Sequence, residues 1–312
     1  MECFRNSLLI TILLFYTSAL FSQVPEGYYL SVEGKSGANL KTALYNIIKN
    51  PNVLAYAQLW EAFERTDAGK NNRVFDMYSD NPHGFAAYYY DFRNNRCGTY
   101  KGEGDCYSRE HLLPRSWFRP NNLLETDLYH VIPTDGYVNN RRRNYPLGEV
   151  GVASWESTNG SKVGQNTFGD YTKTVFEPID EYKGDIARTF FYLVTAYEDD
   201  LVSWKSDQIG DDIYPGFNDW SLELLLKWHS EDPVSLKEVR RNEEVYKIQG
   251  NRNPYIDYPD LIEFVWGALK DQPLKEELLV DSYFLIEYSP FERWILRQQW
   301  INNIKTLLQK NE

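Results

Sequence analysis

The chain has 312 residues, of which 42% are apolar and 16% aromatic, and a formal charge of −12. That composition excludes a disordered or fibrous protein and leaves room for one large domain or two modest ones. The negative total argues against a polyanion ligand held by global charge, so any such ligand would depend on a local field.

Residues 1–22, MECFRNSLLITILLFYTSALFS, place Arg5 before an apolar stretch from Leu8 to about Phe21. A membrane span needs about 20 apolar residues. This stretch is shorter and is broken by Thr11, Thr17 and Ser18, so it reads as a cleaved secretory signal. No later segment could span a bilayer, and a secreted or periplasmic location is expected.

Two helices should follow. Leu40, Leu44, Ile47 and Ile48 share one face of the first; Tyr56, Leu59, Trp60 and Phe63 recur at i, i+3, i+4, i+7 in the second. Asn50-Pro51 separates them, because proline disfavours helix in the residue before it. Residues 73–108 read as short strands and turns. Within them Cys97 and Cys106, the only cysteines left after signal removal, close the Gly-rich loop RCGTYKGEGDC. Outside the cell that spacing predicts a disulfide, contributing about 2–3 kcal/mol by loop closure.

The stretch 126–144 reads as a strand entering a helix, with Thr134 as N-cap after Pro133. Further helices are predicted at 185–197, 218–229 and 235–247, and Pro259 should open another, PDLIEFVWGAL. No composition shift marks a second domain. Residues 269–312 are less legible and should end in an amphipathic helix carrying Trp294, Ile301, Ile304 and Leu308.

The chemistry concentrates at residues 107–118, YSREHLLPRSWF, where Glu110 and His111 are adjacent. From Arg109 to Asn144, six arginines (109, 115, 119, 141, 142, 143) face four acids (110, 125, 127, 135), a local surplus of two positive charges. Phosphodiester hydrolysis needs a base, a cation and donors that position the phosphate. Histidine suits the base, because its ordinary pKa of about 6.5 leaves it largely neutral near pH 7. A carboxylate and an amide oxygen suit a hard cation such as Mg2+, and arginine's planar fork suits the phosphate. Neighbouring side chains on a strand point to opposite faces, so a metal shell begun by Glu110 must be completed from elsewhere. Asn139, 28 positions after His111 on the following helix, is the candidate.

REHLLPRSWF, DLYHVIPTDGYVNNRRRNYPLGEV and IQGNRNPYIDYP, with GKSGANLKTAL and GDIARTFFYLVTAY, resemble the endonuclease I family of secreted bacterial nucleases over about residues 27–268. The resemblance implies an α+β chain, a mainly helical single domain around a ββα-metal (His-Me finger) core with short strands. The catalytic domain would be 23–268, with 269–312 as a helical extension. His111 would be the general base, and Glu110 and Asn139 would hold Mg2+, with Ca2+ or Mn2+ as substitutes. A monomer is expected to cut DNA, and often RNA, through backbone contacts, leaving 5′-phosphate ends. The phosphate-stabilising arginine of some members has no clear counterpart, and Arg142 or Arg115 would replace it. Some members carry His-Asn where this chain has Tyr129-His130, so His130 is read as a structural hydrogen-bonder. Asp127 is expected to hold the strand–helix junction, and Arg252 and Asp257 to form a buried pair.

Two other classes compete. A secreted glycoside hydrolase would use the many Trp, Tyr and acidic residues, but no acid pair stands out and aromatics in this number more often build core. A binding module that has lost its chemistry would lack part of the Glu110, His111, Asn139 set, and none is missing.

Overall fold

The computed structural model describes residues 24–118, 122–275 and 290–309; the expected signal at 1–22 and Arg119 lie outside them. Helix α1 (Gly37–Ile48) buries Leu40, Leu44 and Ile48 completely. Helix α2 (Leu59–Thr66) starts one turn later than its apolar face suggests, because Tyr56 lies in a separate 3-10 turn, Tyr56–Gln58.

The expectation of several strands over 73–108 fails. Among these residues only Tyr107 and Ser108 belong to a named strand. Polar side chains satisfy the backbone locally instead: Asp91 Oδ1 accepts from the N–H groups of Arg93 and Asn94, and Asp105 Oδ2 from those of Lys101 and Gly102. Such local side-chain-to-backbone hydrogen bonds compete directly with a ladder. The expected disulfide, Cys97–Cys106, closes this loop.

Strand β1 (Tyr107–His111) pairs antiparallel with β2 (Val131–Asp135), in unbroken register from Tyr107 opposite Asp135 to His111 opposite Val131. Between them lies α3 (Asn122–Thr126). Strand β2 runs directly into α4 (Gly136–Arg142). The N-cap of α4 is Asp135, not Thr134. Asp135 Oδ1 accepts from the N–H groups of Tyr137 at 2.7 Å and Val138 at 2.9 Å, whereas Thr134 Oγ1 accepts from neither. Position 136 has to be glycine, since a β-carbon there would collide with Cys97 Sγ. The disulfide therefore packs against the first turn of α4.

A second sheet, β3 (Val150–Glu156), β4 (Lys162–Asn166) and β5 (Thr174–Glu177), is antiparallel in that order. It was not anticipated. Its outer strand β3 is mostly exposed, with Val152 at 83%, and register shifts interrupt the alternation that would reveal it.

Helix α5 (Lys183–Ala196) lies at the centre, buried on nearly every side, and packs against α1 and α6 (Asp219–Glu231). Helix α7 (Leu236–Gln249) opens with a capping box from Ser235 and Glu238 and ends at Gly250 in the left-handed region, φ 78°. Two short helices follow, α8 (Pro254–Asp257) and α9 (Leu261–Val265), the latter shorter than the expected segment from Pro259. Helix α10 (Pro290–Gln309) returns to the core with Ile301 and Ile304 buried and Trp300 edge-on to Phe264 at 6.2 Å. The side chains of Trp294 and Leu308 lie outside the described set. The architecture is α+β with small antiparallel sheets, and no described helix is long and apolar enough to cross a membrane.

Candidate active site

The alternation of β1 sorts its side chains. Ser108 and Glu110 face α4; Tyr107, Arg109 and His111 face the segment around α2. Two contacts lock α4 to the first face. Asn139 Nδ2 donates to Ser108 Oγ at 3.0 Å, and Arg142 Nη1 lies 3.2 Å from Glu110 Oε1. Two residues along a strand are matched by i, i+3 along a helix, so α4 runs beside β1 with both rows in contact. Because the amide nitrogen of Asn139 is spent on Ser108, its Oδ1 is left to accept from another donor or from a cation, on the side of the strand that carries Glu110.

Glu110 is buried, with Tyr78 Oη donating to its Oε1 at 3.1 Å. Burial pushes its pKa up to about 6, and the guanidinium of Arg142 offsets only part of that. A buried carboxylate still short of positive charge and an amide oxygen packed on the same face of β1 are hard-oxygen donors of the kind Mg2+ prefers. Among the described residues no cluster of three or more His, Cys, Asp or Glu could hold a metal. An ion on Glu110 and Asn139 would therefore keep several waters or take substrate oxygens, as Mg2+ does.

His111 leaves β1 on the opposite face from Glu110, and the unbroken register provides no bulge to turn it. Both residues stand at the C-terminal end of β1. The His111 ring is held on three sides. Nε2 is 3.1 Å from the carbonyl of Glu125, Tyr56 stacks on the ring at 6.1 Å and 22°, and His130 meets it edge-on at 5.1 Å. A carbonyl can only accept, so Nε2 carries the proton and Nδ1 carries the lone pair. Burial, followed by His130, Arg115 and Arg109, pushes the pKa down to about 3. The ring is neutral at pH 7.

The two candidate arginines sit differently. Arg142 is 1% exposed, and it spends its fork on Glu110, on the His111 carbonyl at 3.2 Å and on the Leu112 carbonyl at 2.5 Å. It is a strut that closes α4 onto the end of β1. Arg115 is 57% exposed and meets Glu125 Oε1 at 2.7 Å, leaving part of its fork in solvent near His111. Arg109 lies over Tyr56 at 3.7 Å and over Trp60 at 4.4 Å.

Both nitrogens of His130 contact backbone carbonyls, of Leu124 and Leu113. Asp127 differs from expectation: it lies between α3 and β2 and accepts one backbone N–H, of Tyr129, beside Tyr192 Oη, Tyr197 Oη and Gln249 Nε2, while Asp135 holds the strand–helix junction. Arg252 grips Asp257 through two 2.8 Å contacts, in the corner between α7 and α8. Sequence reasoning missed Ser108, Tyr78, Tyr56 and the Glu125 carbonyl. Only Ser108 carried a signal, lying two residues before Glu110 on the same strand. A groove of about 920 Å3 between α2 and α7 is lined by none of Glu110, His111, Arg115, Asn139 or Arg142.

Residues 36–260 match the family model of Endonuclease I. The chain is 34% identical to an extracellular ribonuclease of Bacillus amyloliquefaciens, over 77% of this chain and 78% of that protein. It is 32% identical to an extracellular ribonuclease of Bacillus subtilis (strain 168), over the same shares. An extracellular deoxyribonuclease of Aeromonas hydrophila is 28% identical, over 44% of this chain and 51% of that protein.

Proposed function

The chain belongs to the endonuclease I family and is a nucleic-acid-hydrolysing enzyme, and from that premise we propose an exported, Mg2+-dependent endonuclease that cuts RNA as well as DNA and leaves 5′-phosphate ends. Export is supported by the signal-like residues 1–22 and by relatives named as extracellular or periplasmic nucleases. RNA is favoured because the relatives named ribonucleases span far more of this chain than those named deoxyribonucleases.

The Glu125 carbonyl fixes the Nε2–H of His111, and Tyr56 fixes the plane of the ring. Nδ1 is then free to accept a proton from the water that attacks phosphorus. The new bond is water oxygen to phosphorus, the bond that breaks is phosphorus to O3′, and O3′ takes a proton from solvent. Mg2+ on Glu110 and Asn139 would supply charge stabilisation for the crowded pentavalent transition state and the departing oxygen. Arg115 offers its exposed fork to a non-bridging phosphate oxygen, while Arg142 keeps the end of β1 closed on α4. A bound phosphate would also raise the basicity of His111, because a nearby anion favours the imidazolium.

One observation carries this reading: the paired Ser108–Asn139 and Glu110–Arg142 contacts, which put both oxygen donors on one side of the strand that ends in His111. Labelled RNA and DNA incubated with Mg2+ should be degraded and should survive with chelator. His111→Ala should stop cleavage while oligonucleotide binding in chelator persists. The new ends should be direct ligase substrates. Chelator-resistant cutting, wild-type turnover by His111→Ala, or 5′-hydroxyl ends would overturn the proposal.

A further inference from the structure

We infer that the cleft at the end of α4 is a nucleotide subsite, which binds a phosphate and base of the substrate strand beside the phosphodiester under attack; this rests on the nuclease reading above. The cleft encloses about 530 Å3, within the range of small-ligand sites. Its walls continue the two elements that carry the candidate site. Asn144 and Tyr145 follow α4 directly, with Tyr145 N–H donating to the Arg142 carbonyl at 3.2 Å. Trp117 closes the turn that leaves β1, its N–H on the Pro114 carbonyl at 2.9 Å. Asn144 Nδ2 joins the two walls by donating to Ser116 Oγ at 3.3 Å. A strand lying across the end of β1 therefore runs along this cleft.

The electrostatics suit a phosphate despite the net charge of −12. Lys173 and Lys205 line the cleft, with Asp207 as its single acid among the described residues. That carboxylate is covered by Lys173 Nζ at 3.0 Å and Tyr171 Oη at 2.8 Å. Lys205 is exposed, its backbone N–H is tied to the Trp117 carbonyl at 2.7 Å, and no salt bridge engages its amine among the described residues. Arg115 and Arg143, both exposed, stand on the two chain segments that lead from the site to the cleft.

The aromatic component is rigid. Tyr171 is stacked face to face on Trp220 at 4.4 Å and 6°, and Tyr145 is half-buried beside it. Flat rings beside a free ammonium group are the elements of strand binding, where each stacked base contributes about 1–3 kcal/mol with little regard to sequence.

The test uses fluorescein-labelled RNA oligonucleotides of increasing length, from dinucleotide to octanucleotide, bound in chelator and read by anisotropy. Wild-type protein should show a step in affinity once the strand reaches the cleft. In Lys205→Ala the octanucleotide-to-dinucleotide affinity ratio should fall about 5–10-fold, and the salt slope for the octanucleotide should drop by about one phosphate. Lys205→Arg should restore both. An unchanged ratio, or equal loss for both lengths, would overturn the subsite. Cleavage with Mg2+ is scored separately. A length step removed by Lys205→Ala in a protein that never cleaves would support the subsite and sink the nuclease reading; cleavage without that step would do the reverse.

Discussion

Arg142 shows how a single buried side chain can tie a helix to the end of a strand. Its guanidinium bridges a helix to three groups at the end of β1: the Glu110 carboxylate and the carbonyls of His111 and Leu112. Breaking a buried pair strands the remaining charge, a loss of about 3–5 kcal/mol. Arg142→Ala should therefore unfold at markedly lower urea concentration. Arg142→Lys keeps the charge but lacks the planar fork that reaches several acceptors at once. It should fold and yet need more Mg2+ for half-maximal activity, since Glu110 is then held at fewer points. Wild-type unfolding midpoints and wild-type Mg2+ dependence in both variants would remove the strut from the account. Arg115, half in solvent, should behave in the opposite way: Arg115→Ala should lower turnover at unchanged stability, because exposed pairs such as Arg115–Glu125 contribute at most about 1 kcal/mol.

At the scale of elements, the junction of β2 with α4 decides whether Asn139 reaches Glu110. Asp135 caps α4, and Asp76 Oδ2 in turn accepts from Asp135 N–H at 2.8 Å, while Ser79 Oγ and Tyr78 N–H complete its shell. Burial pushes the Asp76 pKa from 3.8 up to about 7, with the charge of Asp135 adding to the effect. A carboxyl group whose folded pKa is raised binds its proton more tightly when folded, so its contribution to stability declines as pH rises from about 4 to about 7 and is level above that. Asp76→Asn carries no charge at any pH. The unfolding free energy of wild type relative to this variant should accordingly fall across that window, measured by urea titration at intervals from pH 4 to 8. A pH-independent difference would show that Asp76 is not ionising there.

The same junction shows what was legible beforehand. The E-H pair, Asn139 and the strand-into-helix switch stand in the sequence because residue types and periods mark them. The cap was misplaced by one residue, since Thr134 and Asp135 are both good capping residues and only the side-chain contacts separate them: Asp135 Oδ1 takes the N–H groups of Tyr137 and Val138, and Thr134 Oγ1 takes none. The loop 73–106 read as strands because its aromatic runs imitate strand composition, while the carboxylates of Asp91 and Asp105 within it consume backbone N–H groups. Tyr56 and Tyr78 lie 55 and 32 positions before His111 and Glu110, and no local pattern ties a residue to a partner at that distance.

At the scale of the whole molecule, most of the chain serves to hold one short strand. Helix α5 is enclosed by α1, α6 and α8, and Asp127, at the foot of β2, is anchored on it through Tyr192 and on the next segment through Tyr197. The C-terminal helix α10 packs against α6. It adds Ile301 and Ile304 to the buried set and sets Trp300 against Phe264, and α10 supplies none of the candidate site residues. Burying an isoleucine contributes roughly 1.5–3 kcal/mol, so the two together exceed the effect of any single exposed contact. A chain ending at Lys275 should lose at least about 3 kcal/mol of unfolding free energy, because the Phe264 surface is then returned to water. The site should survive that loss. At a temperature well below the lowered midpoint, turnover per folded molecule on RNA should match the full chain within about a factor of two, whereas Asn139→Ala should not. A truncated chain that folds stably but has lost turnover would instead show that α10 reaches the strand through the core, and the separation argued here between the scaffold at the C-terminus and the chemistry at the end of β1 would have to be abandoned.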